Sequence, residues 1–122
     1  MPHARWTTFV DALRRLVEQL RFPITLASLK LFDGTRRNLC FNGQGVCLAL
    51  DAPAVPAARG FFGALDELSR QHDAVINLCK DSRVDADTCR ALFPAYARFR
   101  AELAAFDPDR RCQSRLRERI GV

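Results

Sequence analysis

Lysine is scarce in this 122-residue sequence: only two of its nineteen Lys and Arg residues are lysines, at positions 30 and 80. Tryptophan, tyrosine and methionine occur once each. No apolar run approaches the ~20 residues that a membrane-spanning helix needs, and the N-terminus lacks the apolar segment of a signal peptide. We therefore expect a protein of the cytoplasm, or one held peripherally at the cell membrane.

Several motifs of catalysis and metal binding are also missing. Neither G-x-G-x-x-G nor G-x-x-x-x-G-K-[ST] nor H-E-x-x-H occurs. The two histidines, His3 near the N-terminus and His72 at the end of a predicted helix, do not indicate a Ser-His-Asp triad. The five cysteines form no C-x-x-C pair, so we expect reduced thiols and no metal site.

The composition is that of a globular protein, with 48% hydrophobic and 27% charged residues. Its length predicts a single domain over residues 1–122. The formal charge of +5 favours anionic partners. The arginine-rich tail at residues 110–119 could contact phosphates, but it lacks the interleaved aromatic residues of single-strand binders. A solvated helix is favoured there, and nucleic acid is not an expected partner.

Hydrophobic periodicity predicts an α-β-β-α-β order followed by further helices. Thr7 or Thr8 is expected to cap the first helix, which would run to about Leu20 or Arg21. The predicted strands are residues 24–32, 46–50 and 74–78. The remaining predicted helices are residues 57–72, 85–93, 96–106 and 111–120. Because residues 46–50 are apolar at every position, they indicate an inner strand, or one that is covered on both faces.

This order predicts an α+β fold with an antiparallel sheet and helices on one of its faces. It corresponds to a ferredoxin-like core that lacks its first strand. The missing strand would leave backbone hydrogen-bonding groups of its neighbours without partners. Association into a homodimer is one way to cover them.

The two lysines lie at comparable places in this predicted sheet. Lys30 points to the face opposite Leu29 and Leu31, and Lys80 follows the end of the strand at 74–78. In a chain that otherwise uses arginine, they indicate sites that need a compact ammonium group. The alternative is that each lysine only shields a sheet edge against pairing.

Four segments together resemble the C-terminal end of the decaprenylphosphoryl-β-D-ribose 2-oxidases. They are S-L-K-L-F at 28–32, G-V-C-L-A-L at 45–50, C-K-D-S-R at 79–83 and F-D-P-D-R-R at 106–111. That family comprises FAD-dependent sugar oxidases of the vanillyl-alcohol-oxidase superfamily, similar in layout to the sugar-lactone oxidases. The resemblance covers nearly the whole chain in order.

The resemblance implies that the chain is the substrate-binding, or cap, domain of such an oxidoreductase. FAD would be held by an N-terminal domain that this chain lacks, or by a separate partner subunit. Lys80 falls on the active-site lysine near the flavin and the sugar, so it is the expected catalytic residue. Cys47 falls on the cysteine beside the flavin. Both are therefore expected to face the cofactor.

The expected substrate-binding residues are Lys30, Phe32, Cys47 and Asn77. Lys30 falls on a second pocket lysine of the family, whereas Asn77 stands where the family has a tyrosine and Gly45 where it has an asparagine. The implied reaction oxidises a sugar hydroxyl by hydride transfer to the flavin. The substrate would be a decaprenylphosphoryl-ribose or an aldonolactone, and a polyprenyl substrate would bring the protein to a membrane surface.

No side chain in this chain can accept a hydride, so the isolated chain is not expected to be catalytic. Two other functions stay open from the sequence. The chain could be a non-enzymatic α+β binding module, or its arginine-rich tail could bind nucleic acid in a salt-dependent manner.

Overall fold

The computed structural model describes residues 1–122 and contains both helices and strands. After a short 3-10 helix at His3–Arg5, the elements are α1 (Trp6–Leu20), β1 (Leu26–Phe32), β2 (Gly45–Asp51), α2 (Ala58–Gln71), α3 (Ala86–Leu92), α4 (Tyr96–Phe106) and α5 (Arg115–Ile120). The two strands pair antiparallel in one sheet. The predicted α+β class is confirmed.

The chain divides into two compact units, each with its own hydrophobic core. The hairpin unit consists of Met1–Gly34 and Gln44–Ala74. The C-terminal unit consists of Thr35–Gly43 and Val75–Val122. The expectation of a single domain over residues 1–122 stays a prediction.

The core of the hairpin unit is built on the apolar stripes of α1 and α2. Phe9 and Leu13 from α1 and Phe61 from α2 are buried. Phe22, in the link between α1 and β1, stacks on Phe61 with ring centroids 4.4 Å apart. Such close aromatic pairing adds to the free energy gained by burying the rings.

The first helix starts differently from the prediction. Arg5 occupies the N-cap position of α1, and neither Thr7 nor Thr8 caps the helix. Instead, the Thr8 hydroxyl donates a hydrogen bond to the carbonyl oxygen of Arg5 at 3.1 Å. The preceding 3-10 turn gives one backbone donor at the start of the helix a partner, because the Arg5 N–H donates a hydrogen bond to the Pro2 carbonyl oxygen.

The hairpin presents one face to the two helices. Leu48 and Leu50 of β2 pack against the core of the hairpin unit, and Val46 is buried on the same face. Helices on one face of the sheet were predicted, and this is confirmed. Both predicted alternatives for β2 are wrong: it is not an inner strand, because the sheet has two strands, and it is not covered on both faces, because Ala49 on its other face is exposed.

The predicted third strand at residues 74–78 is also wrong. Ala74 and Leu78 are buried, as the apolar pattern indicated, but the segment pairs with no strand. The Ala74 N–H bonds back to Ser69, and Asn77 begins a turn that includes Lys80. Local hydrogen bonds of Asn77 compete with ladder formation there. The ferredoxin-like core therefore lacks this strand as well as the first.

The core of the C-terminal unit lies among α3, α4 and α5. Phe93 and Cys89 are fully enclosed. The Tyr96 hydroxyl donates a hydrogen bond to the Ile120 carbonyl oxygen at 2.7 Å and so ties α4 to α5.

The last helix begins at Arg115 and not at 111, because the Ser114 side chain caps it by accepting from Arg117 N–H. None of the helices combines the length and the apolar character needed to cross a bilayer.

Candidate functional site

Three of the five predicted site residues lie on one face of the hairpin. Lys30 of β1 and Cys47 of β2 are directly opposite each other in the antiparallel register, and Phe32 is opposite Gly45. Residues opposite each other across two strands project to the same face. This face is the one turned away from Leu48 and Leu50, which pack against the helices.

This polar face of the hairpin is open to solvent. Lys30 is exposed, and Cys47 and Phe32 are half-buried. An exposed ammonium, a thiol and an aromatic ring are therefore held within one strand pair. A rigid strand pair fixes these groups more firmly than a loop would. The arrangement can offer a cation to an anionic or hydroxyl-rich ligand and a ring edge against its apolar part.

The other two predicted residues, Asn77 and Lys80, lie in one turn of the C-terminal unit. The Asn77 carbonyl oxygen accepts hydrogen bonds from the N–H groups of Lys80 at 3.0 Å and Asp81 at 3.1 Å. The Asn77 side-chain oxygen accepts a third from Cys79 N–H at 3.2 Å. Asn77 thus shapes the turn that carries Lys80, whose side chain is exposed.

Asp81 and Arg119 hold this turn from its other end. The Asp81 carboxylate accepts from the N–H groups of Arg83 at 2.7 Å and Val84 at 2.9 Å, and from the Arg83 guanidinium. The Arg119 guanidinium donates to the backbone oxygens of Asp81 and Val84, each at 2.7 Å. Lys80 is therefore an exposed cation on a backbone fixed on both sides.

The charge of Asp81 is maintained by these bonds. Burial raises the pKa of the Asp81 carboxyl, but the backbone N–H groups of Arg83 and Val84 and the nearby guanidinium outweigh it. The pKa of Asp81 is consequently below its ordinary value. Asp81 is thus an anion at neutral pH, adjacent in sequence to the ammonium of Lys80.

The structure brings the five predicted residues together as two groups. Lys30, Phe32 and Cys47 belong to the hairpin unit, and Asn77 and Lys80 belong to the C-terminal unit. The expectation that Lys80 follows the end of a strand is wrong, since residues 74–78 form no strand and Lys80 lies in a turn. Its role as a catalytic residue stays a prediction, as do the binding roles of the other four.

The F-D-P-D-R-R segment has a structural role that the sequence did not indicate. The Asp107 carboxylate accepts hydrogen bonds from the N–H groups of Arg111 and Cys112 and forms an ion pair with Arg117. Arg117 also donates to the carbonyl oxygens of Cys112 and Val122. These bonds lower the pKa of Asp107, with the Arg117 hydrogen bond contributing most. The motif folds the tail onto the end of α4.

An apolar cavity of about 530 Å³ opens on the C-terminal unit, and sequence reasoning missed it. Three cysteines line it, Cys40, Cys79 and Cys112, all with free thiols. The remaining wall is mostly apolar and includes Phe99 and Leu103 of α4. Such a volume lies within the range of small-molecule sites. The i, i+4 spacing of Phe99 and Leu103 was the available signal.

Metal-binding chemistry has no support in the side-chain arrangement. No group of three or more His, Cys, Asp or Glu side chains is placed to hold a metal ion. His72 lies at the C-terminal end of α2, where its ring nitrogen Nδ1 is 3.0 Å from the Leu68 carbonyl oxygen. It lies against Phe9, ring edge to ring face, and takes part in packing.

Comparison with known proteins finds a relative that is similar to most of this chain. No family model matches the chain. A protein from Streptomyces coelicolor, described as an uncharacterized protein in the mprA 5' region, is 36% identical over 119 residues. The match covers 92% of this chain but 32% of that relative. The chain is therefore similar to a part of a longer protein and spans about a third of that protein's length.

Proposed function

We propose that this chain is the substrate-binding part of an FAD-dependent oxidoreductase that oxidises a sugar hydroxyl. The observation that carries the proposal is the opposition of Lys30 and Cys47 across the hairpin, with Phe32 on the same face. These are three of the positions that the resemblance to decaprenylphosphoryl-ribose oxidases assigns to the pocket. The similarity to part of a longer protein is compatible with a domain that works beside another polypeptide segment.

Different side chains of this chain would make different contacts with the substrate. The Lys30 ammonium would donate hydrogen bonds to sugar hydroxyls or to a phosphate oxygen. Phe32 would pack against an apolar face of the sugar, and Asn77 would offer both a donor and an acceptor. Lys80, which is exposed in this chain, would stabilise negative charge that develops during the reaction once the flavin domain covers it, since an ammonium is a more effective electrostatic catalyst where water is excluded.

The residues present fit one side of a flavin site and not the whole of it. An exposed ammonium and a thiol on an open strand pair can line the face of a ring. The sequence has no glycine-rich loop to hold the dinucleotide phosphates. FAD, held by a partner domain or subunit, would supply the hydride acceptor. The chain would act in the cytoplasm and approach a membrane surface only through a polyprenyl substrate.

Reconstitution with a flavin-binding domain of the same oxidase type tests this proposal. The purified chain alone is expected to show no flavin absorbance at ~450 nm, because none of its side chains can replace the cofactor. Mixed with the flavin domain, it is expected to co-elute with flavin and to restore sugar oxidation. If no flavin domain binds and none gains activity, the proposed function is wrong.

The Lys80→Ala variant of this reconstituted enzyme tests the catalytic role of Lys80 directly. We expect its turnover to fall by about 100-fold or more, because a preorganised charge at the reacting centre is lost. Arg100→Ala, an exposed cation on α4, is the matched control and should keep turnover unchanged. Circular dichroism should show the native fold in both variants. Equal activity of the two would remove Lys80 from the catalytic machinery.

A non-enzymatic binding module is the second candidate, and the apolar cavity of the C-terminal unit favours it. Such a module would bind a small apolar ligand without any flavin partner. Isothermal titration of the isolated chain with alkyl and isoprenoid alcohols separates the two. Tight binding together with failure of every flavin partner would favour the module. Nucleic-acid binding by the arginine-rich tail is less favoured, since the Arg117 guanidinium is buried in an ion pair with Asp107.

A further inference from the structure

The outer edge of β1 carries backbone groups that have no partner. Val46 exchanges two backbone hydrogen bonds with Met1, at 2.8 and 2.9 Å, so its N–H and C=O point away from β1. Leu31, opposite Val46, is therefore in a non-hydrogen-bonded pair, and its own groups point away from β2. By alternation along the strand, the same holds for Leu29 and Ala27. None of these outward groups finds a hydrogen-bond partner.

The same edge exposes apolar side chains from both faces of the sheet. Leu26 is 58% exposed, Leu29 51% and Leu31 69%, and they are among the most exposed large hydrophobic residues of the protein. Leu29 and Leu31 project to the face that the helices cover, but the cover does not reach them. An open edge flanked by exposed leucines is a template for pairing with another strand.

The sequence of β1 is complementary to itself when the strand is reversed. Leu29 is the middle residue of the seven in β1. A two-fold axis at Leu29 would pair β1 antiparallel with β1 of a second copy over its whole length. The facing pairs would be Leu29 with Leu29, Ala27 with Leu31, Ser28 with Lys30, and Leu26 with Phe32. Apolar residues meet apolar residues, and the only charged residue meets a serine.

This register also satisfies the hydrogen-bonding geometry. The outward groups of Ala27, Leu29 and Leu31 in each copy would meet those of Leu31, Leu29 and Ala27 in the other. An axis at Lys30 would instead place two ammonium groups directly opposite each other, which is unfavourable. Pairing at Leu29 avoids that repulsion. Of the two axes, the one at Leu29 also pairs all seven residues of β1.

We propose that β1 is the self-association surface of this protein, pairing two copies through a two-fold axis at Leu29 into a continuous four-stranded sheet. A two-stranded sheet is only marginally stable by itself, and two more strands give it a larger continuous surface. The pairing uses strand edges and leaves the face with Lys30 and Cys47 open. The proposal is thus independent of the flavin function.

Sedimentation velocity of the full chain tests this surface. The wild type is expected to pass from monomer to dimer between about 1 μM and about 1 mM. Leu29→Lys, which brings two like charges onto the axis, should weaken self-association at least tenfold. Leu20→Lys is the matched control, since Leu20 is 45% exposed on α1 and lies outside the surface. An equimolar mixture of Leu29→Lys and Leu29→Glu should form the heterodimer.

A second measurement needs no variant. Hydrogen exchange at the amides of Ala27, Leu29 and Leu31 should slow as the wild-type concentration rises, while the exposed loop at 35–43 should not respond. A wild type that stays monomeric at every concentration overturns the proposal. So does a dimer that Leu20→Lys and Leu29→Lys weaken equally, or one that forms without protection of the β1 amides.

Discussion

At the scale of single residues, Gly45 shows how one backbone contact fixes a residue type. Its φ of +143° belongs to a region that L side chains rarely adopt. A Cβ atom at position 45 would lie 2.1 Å from the Met1 carbonyl oxygen, far inside contact distance. Gly45 therefore permits Met1 to pair with Val46 at the outer edge of β2. The resemblance aligned this glycine with a pocket asparagine, and the structure gives it a packing reason.

Gly45→Ala is expected to destabilise the protein by about 1–3 kcal/mol, the usual cost of forcing a strained backbone conformation. Urea unfolding followed by the fluorescence of Trp6, the only tryptophan, measures this change. Gly60→Ala in α2 is the matched control, because a Cβ there meets nothing within 4 Å. That substitution should be neutral or slightly stabilising. Equal destabilisation by both would contradict the role of the Met1 contact.

At the scale of elements, the ion pair between Asp107 and Arg117 joins the end of α4 to α5. The side chains are only 7% and 8% exposed, respectively. The pKa of Asp107 is lowered, chiefly by the Arg117 hydrogen bond. A lowered pKa in the folded state means that the carboxylate stabilises the fold above its ordinary pKa of about 3.9. That contribution is lost as the pH falls through the folded-state pKa.

Asp107→Asn should therefore lower the free energy of unfolding most at neutral pH, and the difference from wild type should shrink below about pH 3.9. Urea unfolding followed through the near-ultraviolet signal of Tyr96, in the C-terminal unit, is the measurement. Asp109→Asn serves as the control, because its side chain is 72% exposed. A pH-independent loss in Asp107→Asn would mean that the side chain acts through packing and not through its charge.

The elements also show what the sequence could and could not predict. Apolar spacing in α1 and α2 predicted both helices, since each has one stripe facing one core. The same criterion failed at residues 74–78, because burial of Ala74 and Leu78 does not require a strand partner. Burial and pairing are separate properties, and an apolar run reports only the first. The apolar run of β2 likewise predicted cover on both faces, but the helices cover only the face of Leu48 and Leu50, and Ala49 on the other face is exposed.

At the scale of the whole molecule, long-range relationships were the hardest to predict. The sequence placed Lys30 and Cys47 on neighbouring predicted strands, and the structure adds that they are directly opposite each other. It did not predict that residues 35–43 leave the hairpin and belong to the C-terminal unit. Local patterns carry little information about which core a connecting segment joins. The apolar cavity was missed for the same reason, since its wall comes from four separate segments.

The burial of Cys89 makes its reaction with a thiol reagent a measure of how often the C-terminal unit opens. Its thiol is completely enclosed in the core of the C-terminal unit, and burial raises its pKa to about 11. The other four thiols are exposed or half-buried. Only the thiolate reacts with an alkylating reagent, so Cys89 can react only when its surroundings open.

Iodoacetamide at about pH 8 should therefore modify four cysteines quickly and the fifth slowly, since few thiols of such high pKa are ionised there. Mass spectrometry of the intact chain counts the adducts over time. The slow phase should accelerate in low urea, whereas the four fast reactions should change little. Five adducts formed at similar rates would contradict this expectation. The time to the fifth adduct thus records how often the C-terminal unit opens in an otherwise native population.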